Sequence, residues 1–181
     1  MSSALLDNYR LLAQYNRWIN QRLYASCAAL SDEERKRERG AFFGSIHHTL
    51  NHLIVADQIW LRRLAQCCLD NDIRVSSLNV QLLDLPAGSR LDSVVFDDWS
   101  ALRTKRERLD TAIENWVAEL PEVFLQLTMH YSNTQGVQRM HPAWQALTHL
   151  YNHQTHHRGQ VSTLLTQTGV DIGVTDLIAL V

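Results

Sequence analysis

Residues 149–161, HLYNHQTHHRGQV, decide the fold of this chain. The stretch has no proline, and its histidines at positions 149, 153 and 157 are spaced by four residues. A spacing of four brings side chains onto one face of an α-helix, about one turn apart. Either pair, His149 with His153 or His153 with His157, can therefore direct two imidazoles at one metal ion. The stretch predicts a long helix that carries metal ligands, without the glutamate that would indicate a metalloprotease.

Three further segments have the apolar period of a helix. The chain has only three prolines and seven glycines, which leaves long uninterrupted stretches. Apolar residues recur in steps of three and four over 3–29, 45–69 and 92–119, the pattern of a helix with one buried face. Pro142 is expected to open the fourth helix, which ends near Thr168, before Gly169. We predict an all-α four-helix bundle that occupies residues 1–181 as one domain.

The segments between the helices are predicted differently. Residues 124–141 combine β-prone side chains with the turn sequence NTQG at 133–136, which favours a short β-hairpin before the last helix. Residues 70–92 are predicted to form a loop, with room for one helical turn, that is long enough to cross the bundle. The mixed-charge run 33–39 is expected to be a solvated loop or helix end. The tail after Gly173 is expected to be irregular or to form one short helix.

Charge and hydropathy exclude several classes of partner. The chain has 17 basic and 19 acidic side chains and a formal net charge of −2, which provides no basic surface for nucleic acid. No apolar run approaches the ~18 residues needed to cross a bilayer, and residues 1–4 lack the features of a signal peptide. We therefore expect a cytoplasmic protein with no nucleic-acid or membrane partner. The three cysteines do not form a disulfide framework and are expected to be reduced and mostly buried.

The second helix carries another histidine group, at positions 47, 48 and 52. His52 lies beside the apolar stripe, so it can join the histidines of the fourth helix where the two helices pack. His47 and His48 lie nearer the helix end, where exposure is expected. Three imidazoles would leave a coordination position open for water or substrate, as in catalytic zinc sites. His48 and His149 could replace one of these ligands or support a ligand by a hydrogen bond. The alternative to any metal site is that these histidines are ordinary surface or core residues. The histidines not expected to be ligands are His130, His141 and His156.

Four stretches resemble motifs of the DinB/YfiT-like family of bacterial proteins. NHQTHHRGQ at 152–160 is similar to the NHxxxHRGQ signature of the family's last helix, and this is the most specific likeness. TLNHLIVAD at 49–57, with Trp60, resembles the second-helix motif. YNRWIN at 15–20 resembles the first-helix motif, and GVD at 169–171 followed by TDL at 175–177 resembles the C-terminal tail. The resemblance extends over essentially the whole chain.

The resemblance implies a bundle with up-down-down-up helix order that is often a homodimer. It also implies one divalent metal ion, commonly zinc or nickel, on one histidine of the second helix and two of the fourth. In this chain those positions are His52, His153 and His157. Related members include S-transferases that depend on a small thiol and a maleylpyruvate isomerase that uses such a thiol, whereas many others have no assigned activity.

Three functions are compatible with these residues. The first is a metal-dependent transferase of a low-molecular-weight thiol, such as glutathione or bacillithiol, to an electrophilic small-molecule substrate. Arg158 would then hold a substrate carboxylate, with a surface cation or salt-bridge partner as the equal alternative. The second is metal-dependent hydrolysis, with Asp57 or a spare histidine as general base. The third is a non-enzymatic, metal-binding dimeric scaffold.

Three polar residues, Asn16, Asp57 and Arg106, fall on otherwise apolar helix faces. They would either orient the metal-ligating imidazoles or form a buried polar cluster. The cluster is favoured for Arg106.

Overall fold

Four long helices dominate the fold. A computed structural model describes residues 4–181, so the predicted start of the first helix at Ser3 lies outside the described residues. The long helices are α1 (Ala4–Ala28), α3 (Ile46–Asp70), α5 (Trp99–Glu119) and α6 (Ala143–Gln167). The shorter elements are the helices α2 (Asp32–Lys36) and α4 (Val80–Leu83) and the strands β1 (Thr128–Ser132) and β2 (Gln138–Pro142).

The long helices pack as a bundle around one apolar core. α1 lies against both α5 and α6, and α3 lies against α6 and, less extensively, α5. Each helix contributes fully buried leucines, of which Leu23, Leu50, Leu102 and Leu147 are examples. The predicted four-helix bundle with a hairpin before the last helix is confirmed. Within residues 4–181, no helix combines the length and hydropathy of a membrane span.

α5 begins at Trp99 rather than at Asp92, so the prediction for its start is wrong. The amide of Asn51, on α3, explains the difference. Its Oδ1 accepts hydrogen bonds from the backbone N–H groups of Val95 (3.0 Å) and Phe96 (2.9 Å), and its Nδ2 donates to the Phe96 carbonyl at 3.1 Å. A side chain from another helix thus satisfies the backbone that a helical turn would otherwise pair, and Asp98 caps α5 instead.

The hairpin is shorter than predicted at its first strand. Phe124 and Leu125 are buried in a 3-10 turn (Glu122–Gln126), and β1 follows it. β1 and β2 pair in antiparallel register from Thr128 opposite Pro142 to Ser132 opposite Gln138. Pro142 therefore ends β2, and α6 starts one position later than expected. Short helices also form in the mixed-charge run (α2), in the long loop (α4) and in the tail (Leu177–Ala179).

Candidate metal centre

Three histidines from two helices, α3 and α6, meet in the structure. The Ser45 hydroxyl caps α3 by accepting from the backbone N–H of His48 at 3.1 Å, and His52 follows on the same helix. His153 and His157 are one turn apart on α6. One ligand nitrogen from each of the three lies within 4.8 Å of the others. The packing of α3 on α6 therefore assembles the cluster that the sequence predicted, hereafter the histidine triad.

Hydrogen bonds at Nδ1 orient two of the three rings. Nδ1 of His52 lies 2.8 Å from the carbonyl of Leu91, and Nδ1 of His157 lies 2.7 Å from Oε1 of Gln160. Both oxygens can only accept, so Nδ1 carries the proton and Nε2 is free to bind a metal. Gln160 stands three residues after His157, a spacing from which the contact could have been predicted. The Leu91 carbonyl lies in the long loop, and nothing in the sequence pointed to it.

The spacing of the nitrogens suits one ion. Nε2 of His52 and Nε2 of His153 are 3.1 Å apart. Because the ring proton of His52 is on Nδ1, its Nε2 lone pair faces His153, and a proton or a metal ion between the two rings is needed to make this contact favourable. The separation is close to the ~3.3 Å between nitrogen ligands of a tetrahedral ion with bonds of ~2.0–2.1 Å. The triad is compatible with binding one metal ion.

The protonation state of the triad also suits the binding of a cation. Burial lowers the pKa of His52 and of His157. Burial, reinforced by the neighbouring imidazoles, lowers the pKa of His153 to about 3. All three rings are therefore neutral at neutral pH, which is the form that coordinates metals.

A cavity of about 990 Å³ opens beside the triad. Phe43 forms part of its wall, and its ring stacks on His52 with centroids 3.9 Å apart. Ser89 to Asp92 of the long loop form another side, and Thr134 of the hairpin turn also lines the cavity. An ion held by the triad would thus face a space large enough for a small-molecule ligand.

The other candidate histidines lie outside the triad. His48 is exposed. The ring of His149 packs 4.6 Å from that of Trp60, between centroids. His47 is only 2% exposed, so the expectation that it would be exposed is wrong. The start of α3 contacts α2 and, through Asn51, the segment before α5, which the sequence alone did not place.

Arg158, the predicted carboxylate-binding residue, points into the bundle. It is 5% exposed, and its guanidinium donates to Oδ1 of Asn16 and, at 3.1 Å, to the hydroxyl of Thr155. Burial lowers its pKa to about 10. Arg158 is absent from the cavity lining. Substrate binding by this residue stays a prediction, and its surroundings favour an internal role.

Arg158 belongs to a second polar cluster, which we call the ionic network. Arg106 bonds Asp57 on one side at 2.6 Å and Asp110 on the other at 2.9 Å. Further amides complete it: Gln154 donates to Asp57, and Asn16 and Asn20 donate to Asp110 at 3.1 and 2.9 Å. The network thus links all four long helices. The polar residues on apolar faces form a buried cluster, as favoured for Arg106.

Comparison with known proteins gives a family relationship. A sequence model of the DinB family matches residues 1–180. The protein named DinB from Bacillus subtilis (strain 168) is 23% identical over 182 residues, which cover 91% of this chain and 88% of that protein. The family match includes all four long helices and the three histidines of the triad. On the extent of the family match, this chain belongs to the DinB family.

Proposed function

We propose that this protein is a divalent-metal-dependent enzyme that transfers a small thiol to an electrophilic substrate. One observation carries the proposal: three imidazoles with converging nitrogens border a cavity of about 990 Å³. Three protein ligands beside open space suit an ion that keeps a position for an outside ligand, whereas structural sites are closed by four protein ligands. His48 and His149 lie outside the triad, which weighs against a closed scaffold site.

A thiol is the outside ligand that we favour. A bound divalent ion lowers the pKa of a thiol, so that the nucleophilic thiolate is present at neutral pH. The chain itself offers no thiol there, because Cys27, Cys67 and Cys68 are buried and none lines the cavity. Burial raises the pKa of Cys27 to about 12 and that of Cys68 to about 11. The thiol would therefore be a low-molecular-weight co-substrate, and zinc and nickel are both suited to the imidazole ligands.

Hydrolysis is less well supported. It would need a general base within reach of a metal-activated water. Asp57, the candidate from the sequence, is fully buried, bonds Arg106 and Gln154, and does not line the cavity. Asp92 lines the cavity but pairs with Arg90 at 3.1 Å on the exposed loop. Among the spare histidines, His156 lines the cavity and is the remaining candidate base. Thiol transfer requires no such base.

Metal content followed by thiol titration tests the proposal. We expect about one equivalent of zinc or nickel in the wild-type protein by elemental analysis, and its loss in His153→Ala. The matched control is His156→Ala, which removes an imidazole that lines the cavity outside the triad.

The nickel- or cobalt-loaded protein is then titrated with 2-mercaptoethanol. A sulfur-to-metal charge-transfer band that saturates is the expected result. A protein that takes up metal but shows no such band up to millimolar thiol would overturn the thiol function and leave hydrolysis to be assayed. A protein that takes up no metal would overturn both.

The remaining parts of the proposal concern partners. The homodimer and the small-molecule substrate come from the family resemblance. Sedimentation analysis of the metal-loaded protein at micromolar concentration tests the dimer directly. A monomer at that concentration would overturn the proposed homodimer and leave the proposed metal and thiol chemistry unaffected.

A further inference from the structure

Phe42 is an aromatic side chain that is largely exposed to solvent. It is 83% exposed, the largest value for a large hydrophobic side chain among residues 4–181. It also lines the cavity beside the histidine triad. Single exposed apolar residues are common on protein surfaces. One that borders a candidate ligand cavity has a ready way to become buried, which is contact with the ligand.

The turn that carries Phe42 is well fixed. Gly44 donates its N–H to the Ala41 carbonyl and accepts from the Arg39 N–H, both at 2.8 Å. Gly44 has φ +75°, a backbone conformation that residues with a side chain rarely adopt, so the turn favours glycine. Because the backbone is already ordered, a ligand that contacts Phe42 need not order this turn on binding.

The Phe42 ring continues an aromatic wall that leads to the triad. It lies edge-on to Phe43, with centroids 4.8 Å apart and the planes at 82°. Phe43 in turn stacks on His52 at 3.9 Å. Edge-to-face and stacked pairs of this kind are the favourable arrangements of aromatic rings. The wall therefore runs from a histidine of the triad to the exposed ring at the cavity mouth.

The rest of the lining is mixed: Ser89, Thr134, His156 and Gln160 are polar, and the other residues outside the triad are apolar or paired. Ile59 and Leu91 add apolar surface, and the charged residues Arg90 and Asp92 pair with each other. The cavity thus presents an aromatic and aliphatic surface next to nitrogen ligands. That combination suits a ligand with a metal-binding atom at one end and an aromatic group next to it.

We infer that Phe42 is a specificity-determining residue that selects ligands carrying an aromatic group adjacent to their metal-binding atom. The inference rests on the proposed metal function and adds to it the class of ligand that the cavity prefers. Phe42 would cover the aromatic group of the bound ligand. Its own ring would then become buried as well.

Imidazole and 4-phenylimidazole test the inference without any assay of turnover. Both bind a metal through nitrogen, and only the second has a phenyl group. Dissociation constants are measured on the cobalt-loaded protein from changes in its visible absorption. The variants are Phe42→Ala and the control Ile178→Ala, which truncates a side chain that is 73% exposed and does not line the cavity. Circular dichroism melting checks that both variants fold like the wild type.

We expect wild type and Ile178→Ala to bind 4-phenylimidazole about tenfold more tightly than imidazole, the order expected for one buried aromatic contact. In Phe42→Ala the two constants should become nearly equal, while that for imidazole itself is unchanged. A preference that survives in Phe42→Ala, or is missing in the wild type, would overturn the inference alone. No imidazole binding by any metal-treated variant would overturn the proposed function as well.

Discussion

Neighbouring residues of α6 belong to two polar clusters of opposite character. His153 and His157 face the cavity, whereas Gln154 and Arg158, the next residue in each case, face the bundle interior. The 100° turn between consecutive helical residues is enough to separate the two faces. One short stretch of sequence thus serves two sites.

The clusters differ in how their polar groups are satisfied. In the ionic network, the carboxylates of Asp57 and Asp110 meet the guanidinium of Arg106, and amides supply further hydrogen bonds. In the triad, the ring nitrogens converge on one another, and the three rings line a cavity. The charges of the network are paired within the protein, whereas the triad has room for an outside partner. Damage to the first should therefore affect folding, and damage to the second should affect binding.

The largest expected effect comes from opening the ionic network. Arg106→Met leaves Asp57 and Asp110 buried without their cation and should lower the free energy of unfolding by about 3–5 kcal/mol. Urea denaturation measures it. The control, Arg103→Met, removes an exposed pair with Glu107 on the same helix and should cost less than about 0.5 kcal/mol. Equal losses in the two variants would show that the network is no more important than a surface pair.

Metal binding to the triad should give the next largest effect. Zinc or nickel at about 100 times its Kd should raise the free energy of unfolding by about 2.7 kcal/mol, because only the folded chain brings the triad together. His157→Ala should remove this increase, and His130→Ala, on the exposed side of β1, should keep it. Chelation should leave the helical circular dichroism signal intact, since the core does not include the ion. Loss of helix on chelation would contradict the distinction between the two clusters.

A smaller effect on metal affinity is expected from Gln160, whose side chain orients the metal-binding ring of His157. Gln160→Leu removes the acceptor at Nδ1 of His157 and should weaken metal affinity about tenfold. Competition with a chromophoric chelator measures the change. Gln66→Leu, which removes an exposed amide on α3 that bonds Asp70, serves as the control and should leave the affinity unaltered. An unchanged affinity in Gln160→Leu would mean that the amide does not orient the ring.

The smallest effect should come from His149→Ala. His149 is one turn from His153 but packs on Trp60 and lies outside the triad. We expect its metal affinity to stay within about twofold of the wild-type value in the same competition assay. A loss of the size seen in His157→Ala would identify His149 as a fourth ligand. The site would then be closed, which would favour the scaffold function.

Local pattern explains why some predictions succeeded and others did not. The long helices follow from apolar spacing, which depends only on the chain within each helix. The start of α5 was misplaced because an amide on α3, that of Asn51, binds the backbone before it. β1 was predicted too long because Phe124 and Leu125 have strand-like character but are buried in a turn against the bundle. Both errors arise where a distant contact outweighs local preference.

By itself, the sequence determined the helical period, the hairpin, and the histidine pairs at a spacing of four, because each depends on residues a few positions apart. The family motif added His52 to His153 and His157. The tertiary structure brings these three histidines together. Only the tertiary structure decided which carbonyl orients His52, and that Arg158 faces inward rather than towards a ligand. These depend on the rotation and contact of α3 and α6, and small rotations of a helix move a side chain from one environment to another.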